Sequence, residues 1–215
     1  MMRSIKNANM SKQGKSIVVV LGMHRSGTSA ITRGLQVMGV NLGNQLMPPV
    51  AGNNEKGFFE DTAVSSINSE LLGAMGQDWH TLAFVHTDEL LDKKYADFRL
   101  RAIELLRSRL AHADNFGMKD PRICRLLPFW QNIFDYLQLK VSYVIAVRNP
   151  ISVAKSIEAR DGIPPEKTHY LWLEHVLPSV LFTQGKPRVL VDYDRLMAAP
   201  EEQIARMAAA LGMES

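Results

Sequence analysis

The segment with the clearest chemical potential is the stretch Gly22-Met23-His24-Arg25-Ser26-Gly27-Thr28-Ser29, between an apolar run and a helical pattern. A glycine-containing turn in this position presents backbone N–H groups to an anion, and the helix N-terminus adds favourable partial charge. The stretch matches the triphosphatase loop G-x-x-x-x-G-K-[ST] except that Thr28 stands at the lysine position. That lysine normally reaches the β- and γ-phosphates, so its replacement argues against ATP or GTP hydrolysis, and Arg25 supplies a cation instead. The sequence predicts an anion site here, with a turn whose Ser26 or Thr28 merely caps the helix as the alternative.

A second pair of polar residues follows the apolar run 141–147. Arg148 comes directly after that run, and Ser156 stands eight positions later on the next predicted helix. Ligands of open α/β sheets bind outside the carboxyl ends of the strands, which is where we expect Arg148. Its planar, paired donors suit a phosphate, and the Ser156 hydroxyl can reach the same anion if the helix starts close to the strand end. Taken alone, the pair also fits a salt-bridged arginine and an exposed serine.

The elements around these motifs predict an α/β fold. Buried strands are predicted at 16–22, 116–119, 141–147 and 188–192. Helices are predicted at 27–40, 62–75, 88–113, 126–137, from Pro150 onward, 166–182 and 200–211. Apolar strands alternating with helices favour a central parallel sheet flanked by helices in a single domain. We assign residues 16–215 to that domain, residues 1–15 to a flexible basic tail, and residues 41–60 to a long loop.

Composition narrows the class of protein. Hydrophobic residues make up 46% and charged residues 22%, which excludes disordered, collagen-like and coiled-coil classes. The net charge is only +3 and no basic stripe is present, so we expect no nucleic-acid partner. The single cysteine, Cys124, excludes an intrachain disulfide and is expected to be a small buried residue. The apolar run 17–21 is too short to span a bilayer, and residues 1–16 lack the apolar part of a signal peptide. We therefore expect a cytoplasmic location without a membrane span.

Together, the motifs resemble those of the sulfotransferases that use 3′-phosphoadenosine 5′-phosphosulfate, above all the bacterial and tyrosylprotein branches. Arg25-Ser26-Gly27-Thr28-Ser29 is similar to the family's loop [KR]-S-G-T-[TS], which holds the 5′-phosphosulfate. Arg148 with Ser156 is similar to the pair that holds the 3′-phosphate. Lys119-Asp120-Pro121-Arg122 resembles a segment whose lysine contacts the sulfonate. The resemblance extends over residues 17–212.

This resemblance implies a P-loop-NTPase-like sulfotransferase fold and a specific reaction. A sulfuryl group would pass in line from 3′-phosphoadenosine 5′-phosphosulfate, the co-substrate, to a hydroxyl or amine, without a metal, leaving adenosine 3′,5′-bisphosphate as product. Arg25 and Lys119 are expected to neutralise charge on the transferred group, and residues 26–29 to grip the 5′-phosphate. The chain departs from the cytosolic branch, which has lysine at the position of Arg25 and a late glycine-rich Arg-Lys-Gly segment.

A hydroxyl acceptor also needs a general base, and Glu60 is our first choice. The adjacent Phe58 and Phe59 can desolvate its carboxyl and raise its pKa. The tyrosylprotein branch uses a glutamate, whereas the cytosolic branch uses a histidine, which keeps His80 and His86 as alternatives. Glu60 as a solvated loop carboxylate or a helix cap is the competing interpretation.

Two further functions stay open at this point. One is a nucleotide or small-molecule kinase with an altered phosphate loop, and the other is a non-catalytic nucleotide-binding partner protein. The sequence does not indicate whether the acceptor is a carbohydrate, lipid, phenol or peptide, nor the oligomeric state. We expect the acceptor pocket to be built from residues 41–60 and 76–88, since such pockets are formed by variable loops. No cluster of His and Cys residues indicates a metal site.

Overall fold

The fold is built on a parallel sheet in the computed structural model, which describes residues 14–51, 54–55 and 57–213. The strands are β1 (Ser16–Leu21), β2 (Asn115–Lys119), β3 (Lys140–Val147) and β4 (Arg188–Asp192). They pair in the order β2-β1-β3-β4, and every pairing is parallel. Each strand lies where an apolar run predicted it. The predicted α/β architecture, a central parallel sheet flanked by helices in one compact domain, is confirmed.

The helices that surround the sheet largely follow the sequence pattern, but one predicted helix is divided and the short helix Tyr193–Ala198 was not predicted. They are α1 (Thr28–Val37), α2 (Thr62–Ala74), α3 (Thr87–Leu90), α4 (Ala96–Ala111), α5 (Leu127–Tyr136), α6 (Pro150–Asp161), α7 (Pro165–Leu181), α8 (Tyr193–Ala198) and α9 (Pro200–Leu211). The single helix predicted over 88–113 is divided into α3, a 3₁₀ turn at Lys93–Tyr95, and α4. The break lies at Asp92, whose carboxylate accepts a hydrogen bond from the Lys94 N–H at 2.8 Å. This cap begins the 3₁₀ turn that separates α3 from α4.

β1 lies in the middle of the sheet, and its side chains alternate between two apolar layers because successive residues of a strand point to opposite faces. The odd-numbered residues of 17–21 lie in the layer covered by α2, α4 and α5. The even-numbered ones lie in the layer covered by α1, α8 and α9. All five side chains are at most 1% exposed, which explains why this strand is apolar throughout.

The long loop predicted at 41–60 contains neither a helix nor an extended strand among its described residues. Its far end is held by Asp61, a buried residue whose carboxylate caps α2. The second oxygen of that carboxylate accepts a hydrogen bond from Arg109 Nε of α4 at 2.7 Å. This anchor fixes the preceding residue, Glu60, close to the edge of the sheet where the strands end.

The basic tail predicted for residues 1–15 lies outside the described residues except for Gly14 and Lys15. Lys15 packs with the domain, since its Nζ lies 2.7 Å from Asp114 Oδ1 and its carbonyl accepts a hydrogen bond from the Lys140 N–H. In the part of the chain that the structure describes, no helix combines the length and apolar character needed to cross a membrane.

Candidate functional site

The turn between β1 and α1 contains the predicted anion loop. Gly27 precedes α1 in the left-handed conformation, with φ of 84°, and Arg25 has a positive φ of 65°. Ser26 is buried, and its Oγ has no hydrogen-bond partner among the described residues. The first N–H groups of α1 have no partner within the helix, as at every helix start. The loop therefore offers backbone donors and the positive end of a ten-residue helix to an anion.

The loop opens into a cleft of about 740 Å³ at the carboxyl ends of the strands. The predicted site residues that line it are Arg25, Gly27, Thr28, Ser29, Glu60, Lys119 and Arg148. Ser26 belongs to the loop but does not line the cleft, and Ser156 contacts the site through Arg25. The topology explains this convergence, because parallel strands bring residues that are distant in sequence to one edge.

Charge in the cleft is strongly positive. Among the described residues its lining has two carboxylates, Glu60 and Asp161, and six cationic side chains: Arg25, Arg33, Lys119, Arg122, Arg148 and Arg160. Clefts lined by one sign of charge concentrate ligands of the opposite sign. The lining therefore suits a ligand with several negative charges.

Lys119, the last residue of β2, forms a buried ion pair with Glu60. Its Nζ lies 2.6 Å from Glu60 Oε1, and the side chains of both residues are less than 10% exposed. The same Nζ donates to the Phe58 carbonyl at 3.0 Å and lies 3.4 Å from Ser29 Oγ of the loop. Burial raises the pKa of Glu60, although the Lys119 charge opposes this rise. The pair thus combines a carboxyl of increased proton affinity with an ammonium that touches the anion loop.

Arg25 links the two predicted motifs directly. Its Nε donates to Ser156 Oγ of α6 at 2.8 Å, while its carbonyl accepts from Arg148 Nη1 at 2.9 Å. Arg25 thus contacts both residues that we expected to bind the 3′-phosphate, Ser156 through its side chain and Arg148 through its backbone. Burial, together with the nearby charges of Arg160 and Arg148, lowers the pKa of Arg25. The charge of Asp161, which lies in the same lining, opposes this shift.

Two aromatic residues of the cleft were not among the predicted site residues. The Tyr193 ring centroid lies 4.6 Å from Arg148 Cζ, and the Trp79 centroid lies 5.5 Å from Arg160 Cζ. Tyr193 directly follows β4, so the rule that pointed to Arg148 at the end of β3 applies to it equally. Trp79 lies within 76–88, one of the two segments in which we expected acceptor contacts.

The histidines considered as alternative bases lie apart from this arrangement. His80 Nδ1 lies 2.6 Å from Asp78 Oδ1, and His86 is exposed at the start of α3. Neither lines the cleft, whereas Glu60 does. Cys124 is buried as expected, accepts a hydrogen bond from the Gly22 N–H at 3.0 Å, and has its pKa raised to about 11 by burial. These properties suit a packing role for the thiol.

Two histidines lie close together at the loop: His24 belongs to the loop and lines the cleft, and His175 is buried in α7. The ring centroids of His24 and His175 are 6.2 Å apart, and neither Nε2 has a hydrogen-bond partner among the described residues. His175 is fully buried, and its Nδ1 lies 2.7 Å from the Leu171 carbonyl. Burial lowers the pKa of His175 to about 4, and burial also lowers the pKa of His24. Both rings are therefore neutral at pH 7.

These shifts predict acid sensitivity of the fold. Between pH 6.5 and pH 4 the unfolded chain binds a proton at His175 and the folded chain does not, so stability falls as pH falls. The share of His175 amounts to about 3 kcal/mol at most. A His175→Asn variant, which keeps a donor for the Leu171 carbonyl, should lose less stability over this range in urea unfolding. His169→Asn, at an exposed position of α7, is the control. Equal pH dependence of wild type and His175→Asn would contradict the prediction.

Comparison with known proteins adds no assignment. No model of a protein family matches the chain, and no curated protein sequence matches it. A function must accordingly be argued from the cleft itself: its anion loop, its buried Lys119–Glu60 pair and its cluster of arginines.

Proposed function

We propose that this chain is a sulfotransferase that uses 3′-phosphoadenosine 5′-phosphosulfate and has a P-loop-NTPase-like sulfotransferase fold. The observation that supports this most is the presence of two cationic groups in one cleft. Lys119 lies beside Ser29 of the anion loop, and Arg25 contacts both Ser156 of α6, through its side chain, and Arg148, through its carbonyl. A donor with a phosphosulfate at one end and a phosphate on the ribose would match both groups. Each binds an anion through charge-assisted hydrogen bonds.

The reaction needs an attacking group, a leaving group and a place for one proton. An oxygen or nitrogen of the acceptor forms a bond to sulfur while the bond between sulfur and the 5′-phosphate oxygen breaks. The acceptor's proton passes to the Glu60 carboxylate and then to solvent, and adenosine 3′,5′-bisphosphate leaves with the bonding electrons. The raised pKa of Glu60 makes it a stronger base than an ordinary carboxylate.

The surrounding groups lower the barrier by binding charge as it develops. Lys119 Nζ donates to oxygens of the transferred group, in exchange for its present contacts with the Phe58 carbonyl and Ser29. Backbone N–H groups at the start of α1 hold the 5′-phosphate, which gains charge as the bond to sulfur breaks. Arg25 adjoins both sites through its backbone in the loop and its side chain on Ser156. A cytoplasmic location stays a prediction, and the class of acceptor stays open.

Calorimetric titration with adenosine 3′,5′-bisphosphate, run beside ATP with Mg²⁺, tests the donor site. We expect the bisphosphate to bind and ATP to bind weakly, because Thr28 replaces the lysine that a triphosphate loop uses. Tight binding of ATP with Mg²⁺ and weak binding of the bisphosphate would overturn the proposal in favour of a kinase. Binding of the bisphosphate without transfer to any of a broad set of acceptors would favour the non-catalytic alternative.

A further inference from the structure

The Arg148 guanidinium is held in place before any ligand binds. Its Nη1 donates to the Arg25 carbonyl at 2.9 Å, and its Cζ lies 4.6 Å from the centroid of the Tyr193 ring. The carbonyl of Arg148 in turn accepts a hydrogen bond from Trp172 Nε1. Arg148 Nε is buried and has no hydrogen-bond partner among the described residues. Since an arginine has five N–H donors in one plane, this anchoring leaves donors of a fixed orientation.

The ring that contacts Arg148 also packs on the anion loop. A Cβ atom added to Gly27 would lie only 2.0 Å from Tyr193 Cδ2, so the tyrosine ring occupies the space that a side chain would need. Tyr193 is the first residue of α8 and follows β4 directly, next to the end of β3 that carries Arg148. One aromatic ring therefore fixes the distance between the loop and the Arg148 guanidinium.

We infer that Tyr193 is a positioning residue that sets the selectivity of the cleft for nucleotides with a phosphate on the ribose 3′ oxygen. The inference rests on the proposed function and adds to it the residue on which donor choice depends. The ring restricts the plane of the guanidinium, so that Arg148 meets a second phosphate with two aligned donors. The affinity of a nucleotide that has only the 5′-phosphate does not depend on this alignment, because it has no phosphate at Arg148.

The ratio of two dissociation constants measures this role. Adenosine 3′,5′-bisphosphate and adenosine 5′-monophosphate are titrated into wild type and into Tyr193→Leu. The wild type should prefer the bisphosphate, and the leucine variant should lose about tenfold of that preference, since cation–π contacts and fixed orientation of a partly desolvated arginine have this magnitude. Tyr193→Phe keeps the ring and should retain the preference. Because both ligands use the loop, a general loss of structure changes both constants and leaves the ratio unchanged.

Tyr136, the exposed last residue of α5, provides a matched control, because its ring lies 6.0 Å from Arg107 Cζ of α4 and does not line the cleft. Tyr136→Leu should leave both constants as in wild type. A wild-type preference that survives in Tyr193→Leu would overturn the inference and leave the proposed function intact. A wild type that binds both nucleotides equally would instead overturn the donor assignment itself.

Discussion

On the proposed function, a Lys119→Met variant is expected to lose sulfuryl transfer by about a thousandfold, because one substitution removes both the proposed charge stabiliser and the ion-pair partner of the proposed base. The ammonium that contacts the transferred group in the proposed mechanism is then missing. In addition, Glu60 is left buried without its cation, so its already raised pKa rises further and its carboxyl holds a proton more tightly than in wild type. A protonated carboxyl accepts no proton from the acceptor. The measurement is single-turnover transfer from 3′-phosphoadenosine 5′-phosphosulfate to an active acceptor.

Lys15→Met is the matched control for this substitution. Lys15 also pairs with a carboxylate, Asp114, at 2.7 Å, but its side chain is 43% exposed and does not line the cleft. Transfer by this variant should equal that of wild type. A Lys119→Met enzyme within a few-fold of the wild-type rate would contradict the role of Lys119.

Stability of Lys119→Met should depend on pH with a definite sign. A carboxyl whose pKa is raised on folding stabilises the folded state most below its ordinary range, and this contribution is lost as pH rises through the raised pKa. The variant should accordingly be close to wild type near pH 4.5 and less stable at pH 8, by about 3 kcal/mol. Urea unfolding at the two pH values measures the difference. The same deficit at both would show that Glu60 is not the group responsible.

The second large effect is expected from Gly27→Ala, which should weaken binding of adenosine 3′,5′-bisphosphate about a hundredfold and destabilise the fold by about 3 kcal/mol. The new Cβ would lie 2.0 Å from Tyr193 Cδ2, and the backbone has a φ of 84° that alanine adopts poorly. Displacement of the ring disturbs the loop and the Arg148 guanidinium together. Calorimetry and urea unfolding measure the two effects.

Gly39→Ala separates backbone strain from the clash. Gly39 has nearly the same φ, 83°, but no atom lies within 4 Å of an added Cβ. It should lose only about 1 kcal/mol of stability and should bind the nucleotide as wild type does. If Gly27→Ala bound the nucleotide as tightly as Gly39→Ala does and lost no more stability, the contact between the loop and Tyr193 would contribute to neither binding nor stability.

The sequence could predict those features of the molecule that depend on the residue pattern of a single segment. The strands were found because residues buried on both faces of a sheet must be apolar, and β1 shows this without interruption. Arg148 could be assigned to the carboxyl edge because it directly follows a predicted strand, whereas Lys119 was singled out by the family resemblance and lies at the end of β2, on the same edge of the parallel sheet.

The hydrogen-bond and ion-pair partners of side chains in the cleft could not be predicted, because they join segments that are distant in sequence. Glu60 and Lys119 are 59 residues apart, and their 2.6 Å contact depends on how Asp61 anchors the end of the loop. Arg25 has a positive φ, and its side chain points toward Ser156. A positive φ is uncommon for arginine, so the sequence did not indicate it. The division of the helix predicted at 88–113 depended on a single cap at Asp92.

The parallel pairing of the strands has a consequence for the chain during its synthesis. Ser16 pairs with Asn115 on one side and with Lys140 on the other, so β1 leaves the ribosome roughly 100 residues before its first neighbour. At about 5–20 residues per second, this central apolar strand waits about 5–20 s without a partner. During that interval its exposed backbone and side chains are open to aggregation. Nascent chains of this protein should therefore depend on chaperones until β2 has emerged.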